Sequence, residues 1–162
     1  MRYWLNIHHP AEINQPRDQF SSVYLMEKHI NTAFQKIARG DKAVLYEIDW
    51  WEGRPVVCNG KTLLLQSGRK GIVAIVKIGN YKPNKHVWDD DEYMGEFETQ
   101  PIKVSKGNTP LVSLAALRQA WQNEFGKDFN PRILGGLREL EPIEWQAIAT
   151  LLGVSPSDPR KP

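Results

Sequence analysis

Few residues in this 162-residue chain have the type and spacing for covalent chemistry. The histidines His8 and His9 are adjacent, just past an apolar stretch, and neighbours on an extended segment point opposite ways. As a metal chelate the pair is poor. The single cysteine, Cys58, excludes a disulfide framework and a cysteine-based zinc site within the chain. Beside an Asn-Gly turn and without a placed base, it is also a weak nucleophile candidate. Asp89 to Glu92 are consecutive acids. Carboxylate clusters hold hard cations, but such a run on a loop is more often a solvated face. H-x-E with P-C-x-x-C, G-x-S-x-G, a Walker loop and H-E-x-x-H are all missing from the sequence. We expect no intrinsic catalysis, no metal and no cofactor.

What the residue types do offer is stacking. The chain has six Trp and five Tyr, and aromatics with a polar handle suit sites where bases are stacked. Tyr24 lies in the apolar run Val23 to Met26, just ahead of the polar run Glu27 to Asn31. A bulky aromatic on a connecting segment beside polar groups reads as the edge of a binding pocket; the plain alternative is packing under the loop. Lys28, Lys36, Arg69, Lys70, Lys82 and Lys85 sit on or near loops, where they are candidates to meet phosphates or are simply solvated. The formal net charge of +2 is compatible with a nucleic-acid partner without requiring one.

The elements that must position these residues are read from periodicity and turn chemistry. Tyr3 to Ile7 is a short strand ended by Pro10. Asn31 is a candidate cap for a brief helix over 32–39, closed by Gly40. Lys42 to Asp49 alternates, with Ala43, Leu45 and Glu47 on one side and Val44, Tyr46 and Ile48 on the other. Val56 to Cys58 and Lys61 to Gln66 flank Asn59-Gly60, a hairpin signal of the type I′ kind. Ile72 to Ile78 is a central strand, Gly79 to His86 a basic loop, and Glu96 to Ser105 the next strand. Ser113 caps a helix over 114–125 that ends at Gly126; Pro142 opens a second over 143–152 that ends at Gly153. Strands first and helices afterwards argue for an α+β fold with a curved or barrel-like sheet. The length suits one domain, residues 1–154, with 155–162 as a disordered tail or linker. MRYWLNIHHP has no apolar signal core, and no run approaches about 18 apolar residues, so the expected setting is cytoplasmic, with no membrane partner.

Three stretches, in order, resemble one superfamily. RYWLNI is similar to the opening strand of EVE domains, VYLMEKHINTAFQKIARGDKAVLYEI to their aromatic loop, polar run, turn and strand, and DEYMGEFETQPIKV to the later aromatic-x-Gly-x-Phe stretch of the related YTH domains. The likeness spans most of residues 1–105. It implies a PUA-like small curved or closed β-barrel with flanking helices, holding a flipped-out modified base in an aromatic cage. By position, Tyr24 and Tyr93 are the implied cage aromatics; both are usually Trp in the YTH branch, which weakens any inference toward N6-methyladenine. Asn6, His8, His9 and Asn31 fall where base-edge or backbone contacts are implied. The stretch 50–70 departs from the pattern by insertion, and Trp50 or Trp51 is a candidate third wall. The implied partner is DNA or RNA carrying a modified base, in a restriction or defence system with a fused or separate effector nuclease. The competing expectation is a protein-interaction or dimerisation module built on the Trp-rich insertion.

Overall fold

The computed structural model describes residues 1–17, 20–131 and 136–161. In chain order the elements are β1 (Tyr3–His8), β2 (Ser22–Met26), α1 (Ala33–Lys36), β3 (Lys42–Glu47), β4 (Pro55–Cys58), β5 (Lys61–Leu64), β6 (Gly71–Trp88), β7 (Asp91–Val104), β8 (Val112–Ser113), α2 (Leu114–Phe125), β9 (Leu137–Glu139) and α3 (Pro142–Leu152). Among the described residues the sheet runs β2-β7-β6-β3-β1-β9, with the β4–β5 hairpin at the end of β6 and β8 beside its start. β1 and β3 are parallel, and the other neighbours antiparallel.

β3 sits mid-sheet, and all six of its residues are buried. Its alternation separates two cores. Val44 and Tyr46 pack with Leu117, Trp121, Trp145 and Ile148 of α2 and α3. Ala43 and Leu45 pack on the other face with Trp4, Val23, Leu25 and Phe97. Strands buried on both faces in this way need an apolar residue at nearly every position.

Local chemistry sets the element ends. Ser113 Oγ accepts from the Ala116 N–H (3.1 Å), and Gly126 closes α2 at φ +63°. Glu141 and Glu144 cap each other's backbone ahead of α3, Pro142 takes its first turn, and Gly153 ends it at φ +67°. Asn59 and Gly60 both have positive φ, as a type I′ hairpin requires.

Gly79 to His86, expected as a basic loop, is the outer half of β6. Gly79 and Pro83 mark irregularities rather than a break. The β6–β7 register shifts between Ile78 and Tyr81 and again between Pro83 and His86, and such bulges bend a strand. Asp89 and Asp90 form the tight turn between β6 and β7, both with positive φ, while Asp91 and Glu92 begin β7. The short helix is only α1. Thr32 occupies its cap position without a side-chain bond, so Asn31 caps nothing. The result is a mixed α+β fold with a curled half-barrel sheet.

Residues 155–161, expected as a tail, fold back on the domain. Trp145 Nε1 and the Tyr3 hydroxyl both donate to the Pro156 carbonyl (2.7 and 3.3 Å), and the Tyr3 and Trp145 rings stack at 3.9 Å. Pro162 lies outside the described residues. No described helix is long and apolar enough to cross a membrane.

Candidate functional site

Tyr24 and Tyr93 arrive at one place through strand register. In β2, Val23 and Leu25 point into the core, so Tyr24 between them points out and is 44% exposed. Tyr24 pairs with Glu96, and two residues on, Met26 pairs with Tyr93 instead of Met94, because the ladder carries a bulge there. That extra residue flips the parity of β7 and brings Tyr93 to the face of Tyr24. The same register makes Tyr93 the direct cross-strand partner of His86 in β6. The His86 and Tyr93 rings stack at 4.8 Å and 7°. Tyr24 stands edge-on to both, 5.0 Å from His86 and 6.1 Å from Tyr93. His86 Nδ1 lies 2.9 Å from the Asn84 carbonyl, which can only accept, so the ring is held with its proton on Nδ1.

Gly95, two residues past Tyr93, has a steric reason. A Cβ there would lie 2.4 Å from the Tyr81 hydroxyl oxygen and 2.5 Å from the Lys82 carbonyl oxygen. The Tyr81 phenol lies over this glycine and donates to the Met94 carbonyl (3.1 Å).

The three rings line a pocket of about 220 Å³, whose other wall is the end of β1 with Asn6, His8 and His9. β1 ends at His8, so the strand alternation that separates neighbours does not extend to His9, and both imidazoles reach the pocket. The buried Asn6 donates through Nδ2 to the Gly136 carbonyl (3.0 Å), which also accepts from the Ile7 N–H. Trp88 Nε1 donates to His9 Nδ1 (3.1 Å). An indole N–H can only donate, so His9 Nδ1 is bare and its proton sits on Nε2. Burial lowers the His9 pKa to about 4 against the weaker pull of Asp89. His8 is lowered by burial as well, opposed by Glu47, and its Nε2 is buried without a hydrogen-bond partner. Burial also pushes Tyr93 up to about 12 and raises Tyr24. At neutral pH the wall groups Asn6, His8, His9, Tyr24 and Tyr93 are therefore uncharged.

Four sequence expectations are corrected here. Trp50 is no pocket wall. It is 5% exposed and packs with Val56 and Leu65 in a small core, behind Leu65 and the edge of His9, both of which line the pocket. Trp51 is 66% exposed and does not line the pocket. Asn31 is exposed in the turn before α1 and does not line it either. Arg69 meets no phosphate: it is buried, ion-paired to the buried Glu47, and donates to Ser105 Oγ (2.7 Å). Its basic turn reads as surface, but β3 delivers a carboxylate beneath it. Among the lysines, Lys36 pairs with Glu139 (3.9 Å), Lys70 with Asp49 (3.4 Å) and Lys82 with Glu98 (2.7 Å), while Lys28 and Lys85 are exposed. Tyr24 and Tyr93 share the pocket but make a corner, not two parallel walls. Rings sandwiching a base need roughly 7 Å between them, twice the stacking step of about 3.4 Å, and these two are in edge contact.

Sequence reasoning missed His86 and Trp88. His86 ends the stretch where Gly79 and Pro83 suggested a loop and Trp88 lies just past it, and only a strand reading of 79–88 would have shown them facing Tyr93 and His9. Among the described residues no three His, Cys, Asp or Glu side chains cluster at metal-binding spacing.

No protein-family model matches the chain, and no curated protein matches it. Among solved structures it is similar to the NMR structure of Rpa0253 from Rhodopseudomonas palustris. The two share 17% identity over 94% of each chain, with a TM-score of 0.43.

Proposed function

We propose that this chain is a non-catalytic reader of nucleic acid, whose pocket takes one base turned out of its strand, as in EVE and other PUA-like domains. One observation carries the reading: Tyr24, His86 and Tyr93, from three strands, converge on a pocket of about 220 Å³ faced by uncharged Asn6, His8 and His9. This volume lies below the range of about 300–1,000 Å³ usual for drug-sized ligands and suits a single planar ring system. Aromatic rings supply stacking, and the Asn and His groups supply hydrogen bonds to a ring edge. The uncharged Asn6, His8 and His9 suit a neutral heterocycle, and the acidic Glu12, which also lines the pocket, disfavours an anion. The curled sheet is then a PUA-like barrel. The partner is DNA or RNA with a modified base, and a separate or fused effector nuclease supplies any cleavage.

The test is a binding panel of DNA and RNA oligonucleotides carrying cytosine and adenine modifications. Tyr24→Ala and Tyr93→Ala should each cost about 1–3 kcal/mol of binding, and less in combination than their sum, because both rings act on one base. A methyl group in an apolar site discriminates by only about 1–3 kcal/mol, so the preference for modified over plain base should be moderate. Unchanged affinity in both variants would remove the reading.

A second reading, self-association through the insertion, is supported by the outward face of the β4–β5 hairpin, where Val57 and Leu64 are about half exposed. A mass that rises with concentration, together with no oligonucleotide binding, would favour it.

A further inference from the structure

The connection between β3 and β4 turns one tryptophan in and its neighbour out. Trp50 is buried at 5%, whereas Trp51 is 66% exposed. The turn that separates them is pinned. Gly53, at φ +80°, donates its N–H to the Leu65 carbonyl (3.0 Å), Arg54 N–H donates to the Trp51 carbonyl (3.2 Å), and Trp50 Nε1 donates to the Arg54 carbonyl (3.1 Å). The Arg54 guanidinium then lies 4.1 Å from the Trp50 ring centroid and 4.4 Å from that of Trp51. The exposed indole is therefore backed by a cation and fixed in place. Among the described residues that guanidinium makes no hydrogen bond or ion pair, only these two ring contacts. A planar cation with unclaimed N–H donors matches phosphate oxygens, and an open indole face stacks any base.

The column also has an address. Trp50 meets the edge of His9 at 5.0 Å, and His9 lines the pocket. From the pocket wall outward the order is His9, Trp50, Arg54, Trp51.

We propose that Trp51 and Arg54 form a second nucleic-acid contact, in which the indole stacks on a base flanking the one in the pocket and the guanidinium bonds its phosphate. The proposal rests on the pocket reading above. It favours a nucleotide over a protein surface as the occupant, since an unpaired guanidinium stacked behind an exposed indole supplies both things a flanking nucleotide presents, a ring face and an anion.

The test uses seven-nucleotide single strands of DNA and RNA with 5-methylcytosine or N6-methyladenine at the centre. Trp51→Ala should weaken binding roughly 5- to 150-fold, the effect of one base–aromatic stack, and Trp51→Phe should restore most of it. The preference for modified over plain centre should survive in Trp51→Ala. Replacing the flanking nucleotides by abasic sites should cost the wild type a similar factor and cost Trp51→Ala nothing further. Arg54→Gln should make the salt slope shallower by about one. Wild-type affinity in Trp51→Ala with loss in Tyr93→Ala overturns this inference and leaves the pocket reading standing. Loss in Trp51→Ala with none in Tyr93→Ala overturns the pocket reading, and with it the flanking assignment. No binding of any strand overturns both. A concentration-dependent mass abolished by Trp51→Ala gives the platform to a second copy of the chain and overturns the proposal.

Discussion

His9 joins charge, burial and hydrogen bonding in one ring. Its Nδ1 accepts from Trp88, which a protonated imidazole cannot do, and burial holds its pKa near 4 against an ordinary value of about 6.5. The unfolded chain therefore binds this proton more readily than the folded one. Above about pH 6.5 the folded state keeps its full stability. Between about pH 6.5 and 4 stability falls steadily, by roughly 3 kcal/mol from this residue alone, and then levels off. His8 is shifted in the same direction. Urea unfolding at pH 7, 5.5 and 4.5 should show His9→Gln with a flatter pH dependence than the wild type, and parallel profiles would contradict the assignment. Nothing in the sequence around His8-His9 announces this. The pair looks like a failed chelate until Trp88, far along the chain, is seen donating to one of its members.

At the level of elements, the β6–β7 ribbon builds half the site, and Gly95 is a point of close backbone approach within it. An added methyl would meet the Lys82 carbonyl oxygen, which is backbone, as well as the Tyr81 hydroxyl. Gly95→Ala should therefore destabilise the fold by about 1–3 kcal/mol, as overpacking does, and Tyr81→Ala in the same chain should not rescue it. Equilibrium denaturation of the single and double variants decides, and a double variant as stable as Tyr81→Ala alone would show that the backbone contact is harmless. Caps and two-residue turns were legible in the sequence because their chemistry is local: Ser113, Pro142, Gly153 and Asn59-Gly60 each act within a few residues. The outer half of β6 was not legible. Gly79 and Pro83 usually punctuate loops, and only the facing strand turns them into bulges. The meeting of Tyr24 with Tyr93 depended on a one-residue register shift, which periodicity does not display; only the family resemblance led to it.

For the whole molecule, charge is dispersed. Arg69 is committed to Glu47, Lys36, Lys70 and Lys82 face carboxylates, and the net charge is only +2. Binding to duplex DNA should show a log–log salt slope of roughly −3 to −5, and an affinity indifferent to salt would count against a nucleic-acid partner. The α+β class was legible from the order of strands and helices. The two-sided burial of β3 was partly so, since its alternation assigned opposite faces but not that both are covered. The pairing of β1 with β9 was not, because the chain between and around them carries no signal of adjacency. That pairing also has a temporal consequence. Asn6 takes its orientation from the carbonyl of Gly136, and the outer edge of β1 is covered by Leu137–Glu139. A ribosome makes the polar wall of the pocket about 130 residues before the strand that seals it. Throughout the interval the nascent chain carries β1 as an open edge, ready to pair with whatever strand comes near. A chain stopped before residue 136 would lack both the carbonyl that orients Asn6 and the strand that covers β1.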